Sequence, residues 1–286
     1  MKTLYFLLAV AAMALLAVSC GSKKPEAPKV LVLYYSQTGN TQTVAEAIAA
    51  KLGADIEAIQ AVNPYDGTYQ ETIERCLVER EQGTVAQVLP IVSDIASYDI
   101  IFLGYPVWFG TYAPPVAGWL ENVDLSGKKV VPFCTFGSGG LDSSVKDLEA
   151  KQPGATVLPG YGVRAARMAA VPQEIDQFLK AGGFMEGEFV KLDAFPEQQP
   201  VTEEEAAIFD AAVKDYPMMS AKAVTAASRA LPNGVEYLFT AVNVPREGAP
   251  KPAPKQDSKQ PPMQREMKVY VTVVEGEAPV FTQVVR

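Results

Sequence analysis

The chain has 286 residues, with 25 Lys and Arg, 33 Asp and Glu, and no histidine. A hydrophobic content of 48% is ample for one large or two smaller buried cores, which excludes global disorder. The missing histidine excludes a Ser-His-Asp triad, a Cys-His pair and any histidine-ligated metal. No metal centre is expected, and a formal charge of −8 argues against a nucleic-acid partner.

At the N-terminus, Lys2 precedes Leu4 to Val18, an apolar run of about fifteen residues, too short to span a membrane comfortably. The run ends in Leu16-Ala17-Val18-Ser19-Cys20 and resembles the lipobox of a bacterial lipoprotein. The resemblance implies a signal peptide over residues 1–19, cleavage before Cys20, and lipid on Cys20. The protein would then be membrane-anchored in the cell envelope, facing outside the cytoplasm. Plain secretion is the competing reading. Cleavage removes Lys2 and leaves 24 Lys and Arg against 33 acids, a net of −9. Residues 20–28 are polar and contain proline, as a tether does.

From Val30 the chain alternates between two periods. Val30 to Tyr35 is a continuous apolar run, the signature of a strand covered on both faces. Thr41 to Leu52 repeats Val44, Ile48 and Leu52 on one helical face, and Gly53 stops it. A short strand follows around Ile56 and Ala58, then a helix over Tyr69 to Glu81. Ile100 to Gly104 is a third strand, Pro115 to Val123 a helix opening on proline, and Val130 to Thr135 a fourth strand. Leu141 to Lys151, Thr156 to Val163 and Pro172 to Ala181 add a helix, a fifth strand and a fifth helix. This rhythm predicts an α/β domain over 29–190, a doubly wound five-stranded parallel sheet.

After about Val190 the rhythm changes. Thr202 and Glu205 form a capping box before a helix bearing Ala206, Phe209 and Val213. Ala221 to Leu231, Gly234 to Val244, Met267 to Val274 and Pro279 to Val285 read as antiparallel strands. Residues 197–286 are thus a smaller α+β domain with an antiparallel sheet. Within it, 246–265 is rich in Pro, Lys and Gln and reads as a mobile loop.

The first strand runs into Ser36-Gln37-Thr38-Gly39-Asn40-Thr41 and directly into a helix. Such a turn offers free N–H groups at the positive end of a helix dipole, together with three hydroxyls, and so can hold an anion. It contains no Lys or Arg and is not a Walker loop. The competing reading is an ordinary turn capped by Thr and Asn. The S-x-T-G-N-T pattern resembles the phosphate loop of the flavodoxins. Two further segments agree: Gly104-Tyr105-Pro106-Val107-Trp108-Phe109-Gly110 after the third strand, and Pro132 through Thr135 and Phe136 to Gly137-Ser138-Gly139-Gly140 after the fourth.

The resemblance spans about residues 29–184 and implies non-covalent binding of flavin mononucleotide, FMN. Ser36 to Thr41 would hold the phosphate. Trp108, with Tyr105 or Phe109, would stack on the isoalloxazine ring beside Pro106. Gly110, Thr135, Gly137, Ser138 and Gly139 would serve its polar edge. The bland reading of Trp108 is a core aromatic. The implied function is electron transfer or flavin-dependent reduction of a small molecule. No Asp or Glu lies in 105–115, unlike the acidic rims of electron-shuttle flavodoxins. The alternative is a non-catalytic surface binding protein on the same scaffold. The C-terminal part weakly resembles cystatin-like folds, without the inhibitory Q-x-V-x-G motif. Cys76 and Cys134 read as free, buried thiols, with pairing outside the cytoplasm as the other option.

Overall fold

The computed structural model describes residues 27–214, 216, 219–244 and 266–285. The signal segment, Cys20 and the loop 246–265 lie outside the described residues. Five parallel strand positions form the central sheet: β1 (Val30–Tyr34), β2 (Asp55–Ala58), β3 (Ile100–Trp108), β5 (Lys129–Phe136) and a fifth position split into β6 (Thr156–Val157) and β7 (Tyr161–Arg164). Their order is β2-β1-β3-β5, with β6 and β7 both paired to β5. A two-residue strand, β4 (Thr111–Tyr112), folds back antiparallel on β3.

The single fifth strand expected from the sequence is interrupted at Leu158–Gly160. Pro159 has no N–H for the ladder, and Gly160 passes so close to the Pro132 carbonyl that a Cβ would lie 2.6 Å from it. β3 also runs four residues further than its apolar run.

Alternation along each strand divides the core. Leu31, Leu33, Ile101, Leu103, Tyr105, Val130 and Cys134 face one layer, with α2 (Tyr69–Gln82), α3 (Pro114–Leu120) and α4 (Leu141–Lys151) over them. Val32, Tyr34, Phe102, Val131 and Phe133 face the other, under α1 (Asn40–Leu52) and α5 (Val171–Ala181). Cys76 and Cys134 are both buried free thiols. Burial pushes the Cys134 thiol well above its ordinary range, as it does that of Cys76. Both therefore pack as small hydrophobes.

The C-terminal part has its own core. Its sheet has order β12-β11-β10-β9-β8, built from β8 (Gln199–Pro200), β9 (Ala221–Leu231), β10 (Gly234–Asn243), β11 (Glu266–Val274) and β12 (Val280–Val285). All its pairings are antiparallel. Helix α6 (Glu203–Val213) starts with the expected capping box, in which Glu205 N–H donates to Thr202 Oγ1 at 3.2 Å. Phe209 packs edge-on against Phe239 at 5.3 Å. β8, absent from the sequence-based strand list, makes this a five-stranded sheet. Among the described residues no helix is long and apolar enough to cross a membrane.

Candidate functional site

The order β1-β3-β5 places the three predicted loops side by side, because all three strands run parallel and end at the same edge. The first loop begins where the β1 ladder ends. Gly39 is the N-cap of α1 at φ +88°, a conformation that strains any side chain, and α1 has no side-chain cap. The first helical bond runs from Thr43 N–H to the Gly39 carbonyl at 2.9 Å, so the amides before it have no helical acceptor. The capped-turn alternative is therefore not what forms here.

Ser36 Oγ is buried and has no hydrogen-bond partner among the described residues. An orphaned hydroxyl costs about 1–3 kcal/mol. Beside an uncapped helix N-terminus, it suits an anion that accepts from both. The neutral donors around it suit a phosphate monoester, so the loop fits FMN. Thr38 is exposed at the loop tip. Thr41 is buried, and its Oγ1 lies 2.9 Å from Thr135 Oγ1. Only one of two such hydroxyls donates to the other, which leaves one proton for a further acceptor.

Two expectations are corrected. The Gln37 side chain turns away from the loop mouth and donates to the Tyr65 carbonyl at 2.6 Å and to Thr72 Oγ1 at 3.1 Å. It fastens the 65–72 segment, and only its backbone remains for a phosphate. Tyr105 does not stack on a ligand either. Its ring is fully buried, and its hydroxyl meets Ser144 Oγ at 3.2 Å. Strand parity explains this, since Ile101, Leu103 and Tyr105 share one face of β3.

In the second loop, Pro106 closes the β3–β5 ladder opposite Thr135. Trp108 is half-buried, edge-on to Tyr35 at 6.0 Å and to Tyr65 at 5.4 Å. It is thus partly a core aromatic, as the blander reading held. Phe109 and Gly110 form the two-residue hairpin between β3 and β4, at φ +53° and +85°. Phe109 is 48% exposed, and the Arg80 guanidinium lies 5.3 Å from its ring. A phenylalanine in left-handed backbone stores strain, a feature that clusters at functional sites. Phe109 is therefore the aromatic of this loop that the fold displays.

Tyr35 and Tyr65 were not picked out from sequence as part of the site. Burial pushes the Tyr35 hydroxyl up to about 12. Burial, then the Glu79 carboxylate that accepts from its hydroxyl at 2.7 Å, raises that of Tyr65 further. Both stay neutral, and their buried rings pack behind Trp108. Tyr65 lies in an irregular stretch with no periodicity to flag it. In the third loop, Thr135 is buried, Gly137 exposed, and Ser138 and Gly139 partly covered. A separate cleft of about 760 Å³ lies between α5 and the C-terminal sheet, lined by Tyr161, Glu174, Arg229 and Glu236 among others. It shares no residue with the three loops.

An NAD(P)H dehydrogenase (quinone) of Cupriavidus metallidurans is 34% identical over 99 residues, covering 33% of this chain and 46% of that protein. One from Gluconacetobacter diazotrophicus is 34% identical over 101 residues, with coverage of 33% and 46%. The chain thus spans about half the length of the curated relatives it matches. A crystal structure of a flavoprotein from Bacteroides eggerthii has 27% identity and a TM-score of 0.49, covering 55% of this chain and 99% of that one. A flavoprotein from Lactobacillus acidophilus in complex with FMN has 23% identity and a TM-score of 0.42, covering 48% and 93%. The flavodoxin sequence model matches residues 29–175, just over half of the chain, so this chain belongs to the flavodoxin family.

Proposed function

We propose that the protein binds FMN non-covalently at the three loops and is a lipid-anchored flavin oxidoreductase or electron carrier of the cell envelope. The orphaned Ser36 hydroxyl beside the uncapped start of α1 carries the reading, since both are answered by a phosphate monoester. Ser36, Thr38 and the amides of Gly39 to Thr41 would hold that phosphate. Phe109 and Trp108 would flank the ring, and the 137–139 backbone would serve its polar edge. Bound there, the flavin supplies one- and two-electron chemistry. Tyr35 and Tyr65 keep water from the inner side of the site, and Thr41 ties the phosphate loop to Thr135 at the end of β5. The quinone-reducing relatives and the absence of acidic residues from 105–115 favour a small acceptor of quinone type over a cationic protein partner. The anchor is proposed from the apolar run and lipobox-like segment that end at Cys20.

Uptake of FMN by the detergent-extracted full-length chain, followed by absorbance and calorimetry, tests the reading. A yellow protein that prefers FMN to riboflavin is expected. A protein that stays colourless in excess FMN overturns it.

A further inference from the structure

The flavodoxin-like sheet and the C-terminal sheet meet at the third loop. Val284 N–H, on the outer edge of β12, donates to the Ser138 carbonyl at 2.7 Å. Arg164, the last residue of β7, donates through Nε to the Gly137 carbonyl at 2.9 Å and through Nη1 to the Phe281 carbonyl. Its guanidinium carbon sits 4.0 Å from the centre of the Phe281 ring. Gly139 permits the approach, since a Cβ there would lie 2.1 Å from the Val284 carbonyl. So two neighbouring carbonyls of the loop are held, one by an arginine and one by an edge strand.

Across a trans peptide, C=O and N–H point in opposite directions. Holding the Gly137 carbonyl therefore turns the Ser138 N–H away from Arg164. Holding the Ser138 carbonyl likewise turns the Gly139 N–H away from β12. Neither N–H has an acceptor among the described residues. We infer that Arg164 is a positioning residue, and β12 a working part, of the flavin site. Together they aim the Ser138 and Gly139 amides at the polar edge of the isoalloxazine ring. This rests on the FMN reading above and gives the C-terminal module a role in it. Phe281, buried beneath the guanidinium, transmits the docking of that module to the loop. By linkage the coupling is reciprocal, so a flavin that engages the loop also tightens β12 onto it.

The test uses the full-length chain in detergent with FMN and riboflavin as probes. Arg164→Met removes both donors and keeps the stem. Val284→Pro removes one outward-facing N–H from an edge strand, where proline is tolerated. Folding of each is checked by far-ultraviolet circular dichroism and thermal melting. Loss of two aligned amide bonds should weaken FMN about 5- to 150-fold for Arg164→Met, and less for Val284→Pro. Riboflavin should weaken by the same factor as FMN, because the ring and not the phosphate loses its partners. The flavin reduction potential should shift, Arg164→Lys should recover part of the affinity, and FMN should slow amide exchange at Val284 in the unaltered chain. Folded variants with unaltered affinity and potential for both ligands would overturn this inference and leave the FMN reading standing. An unaltered chain that takes up no FMN would overturn both.

Discussion

Removing the Ser36 hydroxyl should move two properties in opposite directions. Ser36 Oγ is buried without a partner among the described residues, and alanine deletes that unmet group without touching the backbone. The desolvation cost of such a group is about 1–3 kcal/mol, and the lower end applies because the residue as a whole is only half-buried. Ser36→Ala should therefore raise the stability of the apo-protein by about 1 kcal/mol in urea unfolding. The same change removes a donor to a charged phosphate, worth about 1.5–3 kcal/mol, so FMN should bind roughly 10- to 150-fold more weakly. Riboflavin affinity should not change. Ligand-induced stabilisation gives a second readout. At a free FMN concentration of about 100 times the wild-type Kd, the wild-type protein gains about 2.7 kcal/mol, and the variant should keep only about 0.3–1.4 kcal/mol. If Ser36→Ala lowers apo stability and leaves FMN affinity intact, the hydroxyl serves the fold and the phosphate argument collapses.

Thr38→Ala, at the exposed loop tip, should also weaken FMN roughly 10- to 150-fold without altering riboflavin binding or apo stability, as calorimetry and thermal melts will register. Phe109→Gly should relieve left-handed strain of about 1 kcal/mol in the apo-protein, yet brighten and loosen bound flavin; fluorescence titration separates the two effects. Trp108→Ala should cost about 2–3 kcal/mol of stability whether or not flavin is present, because it opens a gap beside Tyr35 and Tyr65. A Trp108→Ala protein as stable as wild type would show that its edge contacts contribute little. Cys20→Ser should release the protein from the membrane fraction or leave an unprocessed precursor, visible on fractionation and immunoblotting.

The element pattern and the turn from β1 into α1 were legible in the sequence because both are set by near neighbours. A strand covered on both faces must be apolar throughout, as Val30 to Tyr35 is, and a helix shows its buried stripe at Val44 and Ile48. The turn at Gly39 needs a residue free to take positive φ, and an uncapped helix start can be anticipated from what surrounds it. The same holds for the capping box of Thr202 and Glu205. Tyr105 was within reach too. Continuing the alternation of Ile101 and Leu103 by one step puts it in the core, but the apolar run itself ends at Gly104, before proline and aromatic residues.

Other features depended on contacts between residues far apart in the chain, which no local period encodes. Gln37 is turned aside by Tyr65 and Thr72, and Trp108 is met edge-on by Tyr35 and Tyr65. A strand period says which face a side chain takes, not which loop will cover that face. The orphaned Ser36 hydroxyl was decided in the same way, since a missing partner is visible only when every neighbour is in place. The seating of β12 on the third loop joins Ser138 to Val284 across most of the C-terminal half of the chain. It depends on an edge strand having unpaired amides and on a glycine having no Cβ, two properties that the sequence holds but that only the tertiary structure brings into contact.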